Sequence, residues 1–231
     1  MNARRQPRSP SRSVALLLSL LTASLLVACG GCAEQSVPHR KPAQVFTGQE
    51  WLERESREAE ERPDELLEIL GLKDGDRVAD VGCGTGYFAR RMAGRVAPRG
   101  TIYAEDIQPE MLERVRTRAK EDGISNIRTV LGTETDPRLP IGGIDLILLV
   151  DVYHEFQKPK EMLAHLLRAL GPDGRVALVE YRLEGDTALK INVEHRMSVE
   201  QVLGEWVPAG FELVERNETL PTQHLFVFRR R

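Results

Sequence analysis

Aromatic residues are scarce in this 231-residue chain, with Phe, Trp and Tyr making up 5% of it. That leaves too little for a base-stacking platform or an aromatic cage. Cysteine is scarcer, at three residues, and their placement offers neither a disulfide framework nor zinc spacing. Positive charge is not in excess. Lys and Arg number 32 against 35 Asp and Glu, a net charge of −3, which gives no general attraction to nucleic acid or anionic lipid. No metal cluster is legible, and "DVYHEF" is not a zinc-protease motif, because Lys158 stands where H-E-x-x-H needs its second histidine. The longest apolar segment, 14–28, is shorter than the roughly 20 residues of a membrane-spanning helix.

That segment follows Arg4, Arg5, Arg8 and Arg12 with no acidic residue before it, the pattern of an export signal over residues 1–28. It ends in Leu26-Val27-Ala28-Cys29, which resembles the bacterial lipobox. The resemblance implies a lipoprotein exported across the membrane and anchored at Cys29, with residues 29–48 as anchor and tether. An ordinary cytoplasmic location is the alternative.

Residues 49–231 read as one domain, which the length and a 41% hydrophobic content can supply with a core. The stretch "QEWLERESREAEERPDELLEILGL" predicts one or two amphipathic helices, the second starting at Pro63. Its charge run is most simply a solvated face laced with i,i+4 pairs; the alternative is a lid whose Trp51 covers a site. From Lys73 onward short apolar strands alternate with helices. Strands are predicted at 77–81, 101–106, 127–131, 144–150 and 176–180, with helices at 87–96, 109–121 and 160–170. "GPDG" at 171–174 predicts a turn. A helix at 198–207 and strands at 211–216 and 224–229 complete an open, doubly wound α/β sheet, which should hold ligands at the carboxyl ends of its strands.

Three glycines crowd "DVGCGTG" at 80–86, where the first strand meets its helix. They permit a tight turn and let a ligand approach the backbone without a Cβ in the way. The dinucleotide pattern G-x-G-x-x-G fails because the third glycine, Gly86, comes one residue early, and no Gly-Lys-Ser/Thr makes a phosphate loop. The motif D-x-G-x-G-x-G does fit, and over residues 64–231 the chain resembles the class I S-adenosylmethionine-dependent methyltransferases. Within them, "DIQPEML", "DVYHEF" and "LPTQHLFVFR" look like a group of small bacterial methyltransferase-domain proteins, several with export signals. The resemblance implies a Rossmann-like, mostly parallel seven-stranded sheet with an antiparallel last strand. It also implies S-adenosylmethionine as cofactor.

By that resemblance Asp80, Gly82, Cys83, Gly84 and Gly86 form the cofactor loop. Asp106, followed by Ile107, takes the ribose hydroxyls, which a carboxylate can do with two charge-assisted bonds. Glu105 is the weaker choice, since strand alternation turns it away. Thr133 or Glu134 borders the adenine, and Val150 ends the fourth strand beside the reacting atoms. His154, Tyr153 and Asp151 are the catalytic candidates, His154 foremost because its ordinary pKa lies near neutrality. Glu180, Tyr181, Lys190 and His195 are expected from a loop folding over the pocket. The acceptor reads as a small molecule. A domain that keeps the fold as a nucleoside-binding or structural module, without catalysis, is the other reading.

Overall fold

The computed structural model describes residues 42–185 and 191–231. Three short helices come first: α1 (Gln49–Leu52), α2 (Arg57–Glu61) and α3 (Pro63–Leu70). Pro63 opens α3, where its missing N–H has no partner to lose, and Gly71 closes it in the left-handed region at φ +57. The alternating units follow as β1 (Arg77–Val81), α4 (Tyr87–Val96), β2 (Thr101–Asp106), α5 (Pro109–Glu121), β3 (Ile127–Leu131) and β4 (Ile144–Val150). A 3-10 turn at Tyr153–Glu155 leads into α6 (Pro159–Ala169) and the long β5 (Leu170–Arg182). A second 3-10 turn, Val193–His195, precedes β6 (Arg196–Met197), α7 (Val199–Trp206), β7 (Phe211–Asn217) and β8 (Gln223–Arg230). Ser198 caps α7 in a reciprocal capping box with Gln201.

The sheet order is β3-β2-β1-β4-β5-β8-β7, with the two-residue β6 beside the end of β5. Strands β1 to β5 run parallel, and β8 lies antiparallel between β5 and β7. This is the expected α/β sheet with an antiparallel last strand, plus β6. Alternation along the strands divides the core between the two faces. Val78 and Ile102 pack with Phe88, Met92 and Leu66 on one side. Ala79, Ile147 and Leu149 pack with Leu163, Trp206 and Phe228 on the other.

Two expectations change. "GPDG" is not a turn between elements: Ile144 pairs with Leu170 and Leu146 with Arg175, so residues 171–174 bulge out within one continuous β5. The α1–α2 region is solvated along one face, where Glu50, Glu55, Glu58 and Arg62 are exposed, but its expected i,i+4 pair is buried. Arg57 and Glu61 are 6% and 2% exposed and pair at 2.6 Å, because the segment lies over the carboxyl ends of the strands. Of the residues expected as tether, those described run over the domain. Ala43 is buried, and its N–H donates to the His154 carbonyl at 3.2 Å.

Candidate functional site

A cavity of about 380 Å³ opens at the carboxyl ends of β1, β2, β4 and β5, within the roughly 300–1,000 Å³ usual for small-ligand sites. Its floor is the glycine loop. Gly82 and Gly84 line it with φ of +67 and +52. A Cβ on Gly84 would come within 2.8 Å of Leu52 Cδ1, and one on Gly82 would collide with Val152. Gly86 serves a different purpose. It does not line the cavity, and its φ of +82 and the 3.0 Å approach its Cβ would make to Val115 Cγ2 bring α5 against the start of α4.

Asp106 lines the cavity as expected. One of its oxygens accepts the Gly84 N–H at 2.9 Å and the other the Gln108 N–H at 2.9 Å, so it also fastens the loop. Burial raises its pKa against the pull of those N–H groups. Glu105, the weaker choice, also reaches the cavity wall, with Oε2 on the Gly82 N–H at 3.3 Å and Oε1 buried without a hydrogen-bond partner. Burial and the neighbouring Asp106 hold it protonated well above the usual carboxylate range. Ile107, Thr133, Glu134 and Val150 also line the cavity. Asp80 and Cys83 do not; both are buried behind the loop. Burial pushes the Asp80 carboxyl up to about 7, against the Ala89 N–H and the charge of Arg57.

The β4 end separates the three catalytic candidates. His154 and Asp151 face the cavity, Asp151 at φ +50 with Oδ2 accepting from Gln223 Nε2 at 2.7 Å. Tyr153 does not face it. Its ring is fully buried against Trp206 and Phe156, and its hydroxyl donates to Glu205 at 2.5 Å. The tight 3-10 turn sends consecutive side chains in different directions, which puts Tyr153 in the core.

Glu180 and Tyr181 are not on a covering loop. Both are buried in β5, which runs on through Arg182. Glu180 accepts from His154 Nδ1 at 2.7 Å. The Tyr181 hydroxyl donates to Glu61 at 3.0 Å, which latches α2 to the sheet. His195 does come over the cavity, with its Nδ1 3.0 Å from His154 Nε2. Burial, then His154, holds its pKa below the usual value. Lys190 and Cys29 lie outside the described residues.

The roof was legible only as an alternative. Trp51 and Leu52 of α1 and Arg54, Arg57 and Glu61 around α2 line the cavity, and the Arg54 guanidinium lies 3.9 Å over the Trp51 ring. Phe46 and Glu155 were missed. "HE" could have marked Glu155, whose pKa burial pushes up to about 7; nothing in the sequence marks Phe46.

A Rossmann-like sheet with its glycine loop and an acidic β2 end facing one cavity is the arrangement of a methyl-transfer fold. The family described as "Methyltransferase domain" matches residues 72–222, and the chain belongs to it. The fold is that of a solved SAM-dependent methyltransferase from Aquifex aeolicus, with a TM-score of 0.72 and 26% identity over 78% of this chain and 95% of that one. Nocamycin O-methyltransferase of Saccharothrix syringae is 33% identical over 49% of this chain and 40% of its own length. The ubiquinone/menaquinone biosynthesis C-methyltransferase UbiE of Ectopseudomonas mendocina is 28% identical over 53% of this chain and 48% of its own. The chain thus spans less than half the length of either curated relative.

Proposed function

We propose that this chain is an S-adenosylmethionine-dependent methyltransferase acting on a small acceptor. The observation that carries the reading is the convergence of Gly82, Gly84 and Asp106 on one cavity. The two glycines bring bare backbone at positive φ to the cavity, and the Asp106 carboxylate can accept ribose hydroxyls through lone pairs not used by the Gly84 and Gln108 N–H groups. These residues fit the cofactor. When bound, it supplies a methyl group on a sulfonium, open to in-line displacement.

The chain's own part is chiefly positioning. Val150, Asp151 and His154 border the β4 end, and Trp51, Phe156 and Met162 add apolar wall, which suits a compact, partly apolar acceptor. Glu61, Arg57 and Arg54 pack above. Location belongs to the same proposal: the lipobox-like sequence supports a domain held outside the cytoplasm by Cys29. Fatty-acid labelling that marks the parent and spares Cys29→Ser would support that anchor, and equal labelling would refute it.

The test of cofactor binding is calorimetry on the full-length chain in detergent, with S-adenosylmethionine and its demethylated product. Asp106→Ala should weaken binding by about 2–4 kcal/mol, two charge-assisted bonds partly replaced by water. An unchanged dissociation constant overturns the reading.

A further inference from the structure

His154, Glu155 and His195 each bring one ligand atom to one place on the cavity wall, all within 4.8 Å of one another. His154 Nε2 lies 3.0 Å from His195 Nδ1 and 3.9 Å from Glu155 Oε1. Ligands about 2.1 Å from a shared ion stand about 3.0 Å apart at right angles and about 3.4 Å apart at tetrahedral corners. Small side-chain movements would therefore seat an ion among these three.

Two of the ligands are oriented from behind. Glu180 accepts the Nδ1–H of His154 at 2.7 Å, which turns the Nε2 lone pair toward His195 Nδ1, the carboxylate–histidine arrangement that supports metal ligands. The Phe46 N–H donates to Glu155 Oε2 at 3.2 Å, which leaves Oε1 free to turn to His154. The surroundings also favour a cation. Arg54 and Arg57, the guanidiniums on this wall, are paired to Glu60 and Glu61, while Glu155 lines the wall beside His154 and Glu180 stands behind it.

We propose that His154, Glu155 and His195 bind a divalent transition-metal ion of the zinc class, leaving a coordination position open to an acceptor oxygen. Two imidazoles and one carboxylate suit such an ion better than Mg²⁺ or Ca²⁺, which favour all-oxygen shells. Three protein ligands with one open position make a catalytic rather than a structural site. An ion there would lower the pKa of a bound acceptor hydroxyl, so that its proton could pass to solvent before the oxygen takes the methyl group. The sequence hid this site because His195 lies 41 residues from its partner.

The test uses the full-length, tag-free chain in detergent, stripped with chelator and titrated with Co²⁺. The expected result is one equivalent bound, with visible d–d absorption, displaced by Zn²⁺. His195→Ala and Glu155→Gln should each raise the Co²⁺ dissociation constant tenfold or more, while His165→Ala, beside Asp136 on α6, leaves it unchanged. No stoichiometric uptake, or equal uptake by His195→Ala, overturns the proposal. The titration is read without the methyl donor, and donor calorimetry on the same protein is read without metal, so failure of either leaves the other standing.

Discussion

Gly84→Ala separates two reasons for the absence of a side chain in the loop. At φ +52 an alanine carries a left-handed penalty of about 1–2 kcal/mol, which should appear as lost stability. The new methyl would also meet Leu52 Cδ1 at 2.8 Å, but that is the flexible end of a side chain and can swing aside. If the loop is bare because a ligand lies on it, the methyl intrudes on the ligand as well. An overpacking cost of about 1–3 kcal/mol corresponds to a dissociation constant roughly five to 150 times higher. Chemical denaturation and donor calorimetry on Gly84→Ala, alone and combined with Leu52→Ala, divide the effects. The double variant relieves the contact with α1 yet should bind as weakly as the single one. Restoration of binding by Leu52→Ala would refute the reasoning, because the glycine would then make room for Leu52 and not for a ligand.

Asp80 sets a pH dependence of stability. Its folded pKa is raised to about 7 by burial, while an unfolded aspartate titrates near 3.9. The folded state therefore holds the extra proton between those values, and stability falls as pH rises from about 4 to about 7, by on the order of 4 kcal/mol. Asp80→Asn should reduce that slope in denaturant midpoints measured across the window; an unaltered slope contradicts the assignment. Tyr153→Phe should cost about 1 kcal/mol, the usual worth of one hydrogen bond, here the one to Glu205, and leave turnover per folded molecule intact. Loss of turnover would return Tyr153 to the catalytic candidates.

The parallel half of the sheet was legible because its signals are local. The bounds expected for β1 to β4, α4 and α5 are those observed, since apolar runs, first-turn prolines and glycine turns are read within a few residues. The same holds for Gly82, Gly84 and Asp106, which the β1 and β2 ends place by themselves. What failed needed distant partners. The Glu180 side chain points inward to His154, 26 residues away, and only the pairing of β4 with β5 brings them together. Tyr153 was misplaced because its direction depends on where α7 puts Trp206. The charge run of α2 is solvated at Glu58, but Arg57 and Glu61 are buried, which shows only once Tyr181 and Glu61 meet across 120 residues.

That latch bears on the order in which the molecule acquires its parts. The Thr222 hydroxyl donates to the Glu60 carbonyl at 3.2 Å across 162 residues, and the Ala43 N–H reaches the His154 carbonyl. Contacts of such sequence separation form late, because the loop they close must be ordered before they return any energy. The β1–β2 portion with its glycine loop can therefore assemble early, and the roof can dock on it through Glu53, which accepts from Thr85, and Glu58, which accepts from Tyr87, before its most distant contact is made. A chain interrupted before Thr222 would lose the bond to Glu60 that ties the roof to the far end of the sequence.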